Sequence, residues 1–391
     1  MLLAVFRYFS DALSCHRRTR PLPTTRTLPL TLGRRMRLKN PKIAVIGAGI
    51  LGSAITYSLA IRGADVLLFD EYPEPGSGVT GRAFGWVNVI NGTPTHSSYT
   101  LWREAIAEYQ HLEAALPEAL SGARSGSLVW RATPEETEQL ADLHERAGDD
   151  VQLLKRSVVS EWEPRLRRAP ECAVFSRNDL ALDPARLAGS YVAAALAAGA
   201  SVRFNEKVTS IETANGRVTG IRVSDGIVNA DIVVMAAGSA INALAAEIGI
   251  HTGVETSPAL LLRYNCSLPV VNRILRGPRL EIRQAGDNTL LVAKSYVENG
   301  VENGPQAIGL RTLAVMREEL DLPDSVTLAS AAVGKRPVFA DGLPRLGFLP
   351  HVDGLYVAVG HPGVILAPLI GRLATEEILD ERRSDLIPAP K

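Results

Sequence analysis

Apolar positions along the chain follow two rhythms, and their order predicts the architecture. Ile43 to Ile46 is a continuous apolar run of strand length, Ser53 to Ile61 reads as a helix closed by Gly63, and Asp65 to Phe69 is a second strand ending at Asp70. Leu182 to Phe204 reads as a helix followed by a strand, with Asp183 as N-cap, Pro184 at the first helical position and Gly199 closing it. Alternating strands then flank Asn215-Gly216, a hairpin signal, and a last strand runs into Ala236-Ala237-Gly238. Between these lie two long stretches, about Thr93 to Asn178 with helical periodicity and His251 to Gly334 with strand alternation before a helix near Ala307 to Leu320. Together the two stretches predict a mixed sheet flanked by helices. Neither contains an internal repeat.

Composition narrows the class. Of 391 residues, 46% are hydrophobic and 21% charged, which indicates a globular protein. The net charge is zero, yet the first 40 residues carry eight Arg, one Lys and only Asp11, so the rest of the chain is net acidic. An acidic body argues against nucleic-acid binding. Cys15, Cys172 and Cys266 lack any paired ligand spacing, so neither a disulfide framework nor a metal site is expected, and a reducing compartment is the default. No apolar run reaches the roughly 18 residues of a membrane span. Residues 1–40 read as a disordered basic tail or as sequence before a true start at Met36, in preference to a mitochondrial transit peptide. The expected location is therefore cytoplasmic, with mitochondria as the alternative.

The stretch from Lys42 to Glu71 carries the first chemistry. Gly47, Gly49 and Gly52 have the G-x-G-x-x-G spacing between a strand and a helix. Gly47 permits the tight turn, Gly49 lets backbone approach a pyrophosphate, and Gly52 allows close helix–strand packing; Ile50 and Leu51 lie within the fingerprint as cofactor contacts, ahead of a helix whose N-terminus faces the negative charge. Asp70, eighteen residues after Gly52 and followed by Glu71, is placed to accept ribose hydroxyls and argues against a 2′-phosphate. This predicts dinucleotide binding without separating NAD from FAD.

After Asp70 comes a Gly-rich loop containing GSGVTGRAFGWVN, an odd start for a crossover helix but one that can lie along an extended cofactor. Fingerprint and loop together resemble the D-amino-acid oxidase and glycine oxidase superfamily of FAD-dependent amine and amino-acid oxidoreductases. The resemblance runs from about Lys42 to Leu379. It implies a Rossmann-like α/β FAD-binding domain, a parallel sheet with a β-meander, over residues 41–92, 179–250 and 335–391. A mixed-sheet α+β substrate domain, interleaved in sequence, takes 93–178 and 251–334. It also implies FAD contacts at Gly81 and Arg82, at Val208 beside the adenine, at Ala237 and Gly238, and along Gly360, His361, Gly363, Val364, Ile365 and Leu366. The last segment is expected to wrap the pyrimidine side of the isoalloxazine, with Pro368 in the first turn of a helix reaching about Leu379. His361-Pro362-Gly363 is more compact than many relatives' loops, and a second substrate arginine usual there is missing. No cysteine lies near Gly334, so the FAD is expected to be non-covalent.

Amine oxidation by flavin needs an anchor for the substrate carboxylate, and an Arg fork suits it. Arg336, in the R-P-x-x-x-D-G segment, has that role by the resemblance, and Pro337 biases it to extended backbone. Lys335 is expected to point to the opposite face. Arg263, Tyr264 and Arg283 read as solvated or structural, His96 as a surface loop residue, and Trp86 equally as a ring neighbour or a core aromatic.

The expected activity is oxidation of the C–N bond of an amino acid or related amine, whether D-amino acid, glycine, N-alkyl or opine-like. Hydride passes to flavin N5, and oxygen or a redox partner reoxidises it. The alternatives are a non-catalytic flavin-binding assembly or scaffold protein, and a catalytic subunit of a multi-subunit amine dehydrogenase.

Overall fold

The computed structural model describes residues 40–96, 98–123, 125–297 and 303–390. The expectations for the basic stretch and for a start at Met36 lie outside the described residues. A six-stranded sheet runs in the order Arg345–Phe348, Leu355–Val359, Ile232–Met235, Lys42–Ile46, Asp65–Phe69, Ser201–Arg203. All neighbours are parallel except the antiparallel edge strand Arg345–Phe348. Its strands are continuously apolar because both faces are covered. Ile43, Val45, Val66, Leu68, Ile232 and Val234 face a helical layer, whereas Ala44, Ile46, Phe69, Val233 and Met235 face a three-stranded meander, Ser210–Ala214, Arg217–Val223 and Gly226–Asn229. Asn215 and Gly216 turn that hairpin with φ of 52° and 74°, the left-handed pair that a two-residue turn of this hand needs.

The helical layer comprises Ile50–Ile61, Pro184–Ala197, Gly363–Asp380 and Tyr99–Ala115. Ile50–Ile61 begins three residues before the expected Ser53. The Asp183 carboxylate caps Pro184–Ala197 by accepting from the N–H groups of Ala185 and Arg186, at 2.9 and 3.2 Å. Helix Gly363–Asp380 crosses Ile50–Ile61 closely enough that a Cβ on Gly371 would lie 2.8 Å from the Ala54 carbonyl oxygen.

The second body is an eight-stranded sheet in the order Thr327–Val338, Glu255–Asn265, Thr289–Ser295, Glu281–Gln284, Ile274–Arg276, Ser127–Val129, Cys172–Ser176, Val151–Lys155. Leu260, Leu262, Tyr264, Leu290 and Val292 bury one face, where helix Pro305–Glu319 packs and the Tyr264 hydroxyl donates to the Gly309 carbonyl at 2.9 Å.

Three sequence expectations need correction. Helix Tyr99–Ala115 lies within 93–178, yet Leu101, Ala105, Tyr109 and Leu112 pack in the core of the parallel-sheet body. Periodicity defines an apolar face but does not say which core receives it. The boundary at 334/335 cuts through the strand Thr327–Val338, which stays paired with Glu255–Asn265 as far as Val338, so Arg336 belongs to the eight-stranded sheet.

Third, Pro368 sits inside helix Gly363–Asp380 rather than in its first turn. Proline has no N–H, so the Val364 carbonyl loses its partner four residues on. Tyr109 supplies the missing donor: its buried hydroxyl bonds the Val364 carbonyl. Tyr109→Phe is therefore expected to cost about 1–3 kcal/mol in urea unfolding by stranding that carbonyl. In a Pro368→Ala background, which restores the backbone donor, the cost should fall by at least half. Equal costs in both backgrounds contradict the assignment.

Candidate functional site

The site assembles where two glycine turns, remote in the chain, meet. At the first, Gly47 has φ +103°, and a Cβ there would lie 2.8 Å from the Ala236 carbonyl oxygen and 2.9 Å from the Ala237 Cα. A Cβ on Gly52 would lie 1.9 Å from the Gly47 carbonyl oxygen, so the helix can start this close to the strand only with glycine. Gly49 is the N-cap residue without any side-chain cap, and the first turn holds no acid. The Ile50 N–H donates to Thr80 Oγ1 at 3.0 Å. The N–H groups of Gly49, Leu51 and Gly52 have no acceptor among the described residues. They are a ready set of donors for an anion.

Asp70 borders this turn. Its carboxylate accepts from the Ala48 N–H at 2.6 Å and the Tyr72 N–H at 2.8 Å. Burial pushes its carboxyl above the ordinary range, while these two bonds oppose that shift. Glu71 is exposed and pairs with Lys207 at 3.2 Å. The chain before Val208 is tied to the same strand end, with Asn205 N–H donating to the Tyr72 carbonyl and Glu206 N–H to the Asp70 carbonyl. Val208 itself is buried in the meander core. The Gly-rich loop returns to the turn, for Gly76 N–H donates to the Ala48 carbonyl at 2.8 Å and Gly81 N–H to the Gly76 carbonyl at 2.7 Å. Arg82, next in the chain, is exposed.

The second turn arrives beside the first. Gly360 has φ +150° and abuts Pro344, whose Cα would lie 2.5 Å from a Cβ at 360. The Gly363 Cβ position lies 3.6 Å from Ile50 Cγ2 and 3.8 Å from Leu51 Cγ, so the starts of the two helices are neighbours. Helix Gly363–Asp380 also lacks a side-chain cap and an acid in its first turn. The N–H groups of Gly363, Val364 and Ile365 have no acceptor among the described residues. Ile365 and Leu366 send their side chains into the core. Ala237 and Gly238 stand across the first turn, with Gly238 at φ +56°.

The edge strand Thr327–Val338 packs against the Gly-rich loop. A Cβ on Gly334 would lie 3.2 Å from Val79 Cγ2 and 3.4 Å from Arg82 Cβ. Two residues on, the half-buried Arg336 donates from Nε to the Ser257 carbonyl at 3.2 Å and from Nη2 to Ser257 Oγ at 2.8 Å. Burial lowers its pKa, and no carboxylate lies within ion-pair distance among the described residues. His361 is exposed. Desolvation, helped by the Arg336 charge, depresses its pKa to about 4. The imidazole is thus neutral beside a cation.

Other residues separate from the site. Trp86 is a core aromatic whose Nε1 donates to Asp179 at 2.8 Å, and Asp179 also accepts from Ser127 and Ser176. Burial pushes the Asp179 carboxyl up to about 6 against those three bonds. Lys335 is exposed, as is His96, which bonds Ser98. Arg283 is structural and buried: its fork donates to the carbonyls of Phe84, Leu182 and Gln284. Thr80, Ser257 and Tyr109 are additions that sequence reasoning missed. Thr80 lies in the Gly-rich loop, but no local signal shows a hydroxyl capping a helix thirty residues earlier.

A family model described as FAD dependent oxidoreductase matches residues 42–377. Glycine oxidase of Pseudomonas putida is 27% identical over 366 residues, covering 89% of this chain and 97% of that protein. Glycine oxidase of Geobacillus kaustophilus is 28% identical, covering 88% and 95%. The crystal structure of the latter protein superposes with a TM-score of 0.75 at 25% identity, over 88% of this chain and 96% of that one. Iminodiacetate oxidase from Chelativorans sp. BNC1, at 23% identity, shares the fold with a TM-score of 0.77 over 90% of this chain and all of that one. Among the described residues no helix is long and apolar enough to cross a membrane, and no His, Cys, Asp or Glu cluster could hold a metal ion.

The His361 environment sets a pH dependence. Unfolded, the imidazole takes its proton near 6.5, and folded only at about 4. Between these values the unfolded chain binds more protons, so this contribution to stability is complete above 6.5 and is lost as pH falls towards about 4. The midpoint of thermal unfolding should fall less steeply through that window in His361→Asn than in the wild type. Identical slopes contradict a depressed His361 pKa.

Proposed function

The chain belongs to the family of FAD-dependent oxidoreductases, and from that premise we propose that it oxidises the C–N bond of a small amino acid or related amine whose carboxylate is held by Arg336. The observation that carries the reading is the half-buried Arg336 guanidinium, which bonds Ser257 and has no carboxylate within ion-pair distance among the described residues. A desolvated, unpaired fork of donors is matched by a substrate carboxylate. The glycine oxidase relatives support the class, since their substrate is an amine carrying a carboxylate.

Two open donor sets, each at a helix start without an acid, fit the two electron-rich parts of FAD. In this reading the N–H groups of Gly49, Leu51 and Gly52 hold the pyrophosphate. Asp70 and Glu71 lie at the ribose, and the backbone before Val208 lies by the adenine. Gly81 and Arg82 run along the middle of the cofactor, and Ala237 and Gly238 flank it. Gly360 to Leu366 wraps the pyrimidine side of the ring, with the amides of Gly363, Val364 and Ile365 stabilising negative charge there. No cysteine lies at the cleft among the described residues, consistent with non-covalent binding.

Bound FAD supplies the acceptor for the hydride that leaves the carbon bearing nitrogen. The chain's own work is positioning. Arg336 fixes the carboxylate, Ser257 holds the guanidinium in place, and the amine reacts in its neutral form. Water then hydrolyses the imine to a keto or aldehyde product and ammonia or a primary amine. Glycine, D-amino acids, N-alkyl amino acids and opine-like amines all fit this chemistry, as do oxygen or a redox partner as final acceptor.

Arg336→Ala, in protein that retains its flavin, should lower kcat/KM for amino-acid substrates by roughly 10- to 100-fold, the effect of about 1.5–3 kcal/mol for a hydrogen bond to a charge. The corresponding methyl esters should lose less than threefold. Equal losses on acids and esters remove Arg336 from the anchor role. Anaerobic bleaching of the flavin by no amine at all would favour a non-catalytic flavoprotein instead.

A further inference from the structure

Two arginine side chains reach the Gly-rich loop from the eight-stranded sheet. The register pairs Arg263 with Leu291 and Leu291 with Arg283, so both sit on one face, two strands or about 10 Å apart at their Cα atoms. The opposite face, with Leu260, Leu262, Ile282 and Val292, belongs to the helix-covered core. Arg283 donates from Nε to the Phe84 carbonyl at 2.6 Å and from Nη2 to the Leu182 carbonyl at 2.8 Å, and a Cβ on Gly85 would lie 3.1 Å from that Nη2. Arg263 is half-buried, and its Nη2 donates to the Gly81 carbonyl at 3.4 Å.

The hydrogen bonds of these groups are met, but their charge is not. Arg283 is 4% exposed, and burial lowers its pKa to about 10, with the Arg263 charge adding to the effect. Asp183 acts in the other direction, yet it is exposed and its carboxylate caps a helix. No carboxylate lies within ion-pair distance of either arginine among the described residues. Carbonyl oxygens ask only for N–H donors, and a neutral amide supplies those. A buried guanidinium brings a full charge as well, whose desolvation is costly until an opposite charge meets it.

The loop above the two arginines joins the two helix starts. Thr80 accepts from the Ile50 N–H at the first, and Trp86–Val87 packs against helix Gly363–Asp380, which begins at the second. FAD stretched along this loop carries its pyrophosphate charge in both redox states, and that charge has the open amides of the first turn. The ring becomes negative only when it is reduced. Fixed charges in a water-poor site act on such a change over about 10 Å without having to reorganise. We propose that Arg283, with Arg263 beside it, is the positive charge that stabilises the reduced flavin ring and so raises the reduction potential of the bound FAD. This rests on the reading that FAD extends along the Gly-rich loop, and it is independent of the Arg336 anchor.

The test measures two properties of the FAD-loaded full chain, the reduction potential by equilibration with redox dyes and the affinity for sulfite. Sulfite needs no substrate site of its own: its sulfur forms a bond to N5, and the electron pair displaced into the ring leaves it negatively charged. Arg283→Gln keeps donors for the carbonyls and removes the charge. It should shift the equilibrium at least tenfold against reduction, a fall of about 30 mV for a two-electron couple, and weaken sulfite at least tenfold. At the half-buried position Arg263→Gln should shift both in the same direction by at least threefold, and Arg263→Lys, which keeps the charge, should recover most of that loss. If Arg283→Gln does not fold, the Arg263 pair decides. Unchanged potential and sulfite affinity in the Gln variants overturn the proposal, as does an equal fall in Arg263→Lys and Arg263→Gln, which would make the effect one of shape. Weaker binding of oxidised FAD with no change in potential also overturns it, by assigning the charge to the pyrophosphate. All of these leave FAD binding itself standing, whereas wild type that retains no FAD overturns the cofactor reading and this one together.

Discussion

Two helix N-termini lie side by side in this protein, neither with an acid in its first turn nor a side-chain cap. Each carries three N–H groups without an acceptor and the positive end of a helix dipole, an effect of about 0.3–1 kcal/mol per nearby charge at exposed sites and more when water is excluded. Helix ends usually solve this with Ser, Thr, Asp or Asn. Here the free donors persist at both, and the molecule is arranged around keeping them open and adjacent.

That adjacency has steric and polar supports. Gly52 lets the first helix start against the Gly47 carbonyl, and Gly371 lets the C-terminal helix close on Ala54. Pro368 leaves the Val364 carbonyl without a helical partner, and Tyr109, from a third helix, supplies one. The helical layer thus converges on the segment whose amides must be held in place. The eight-stranded sheet presents an edge strand whose Gly334 approaches the Gly-rich loop and whose Arg336 is held by Ser257. In the proposed reading one body fixes the electron acceptor and the other selects what lies against it, a division that lets substrate preference change without disturbing the cofactor cradle.

What sequence reasoning reached and missed follows from the range of each rule. The Gly47 to Asp70 unit, the Asp183 cap and the Asn215-Gly216 hairpin are governed by neighbours within a few residues, and each stands where local chemistry places it. Pro368 reads locally as a helix-start proline, because its compensation inside the helix comes from a hydroxyl 255 residues earlier in the chain. Helix Tyr99–Ala115 has a legible apolar face, but the core it joins depends on packing between remote segments. Arg263 reads as an ordinary strand arginine until the register with Thr327–Val338 puts it on the face of Arg336. Arg283, by contrast, is the structural arginine that its strand suggested, though buried.

The central claim, that one extended FAD spans both helix starts, is tested most directly by amide hydrogen exchange in the apoprotein with ADP and then with FAD. ADP contains the pyrophosphate but no flavin ring. The account predicts that ADP slows exchange at Gly49 to Gly52 only, and that FAD slows it at Gly49 to Gly52 and at Gly363 to Ile365 together. Protection of the second turn by ADP, or its absence with FAD bound, would contradict it.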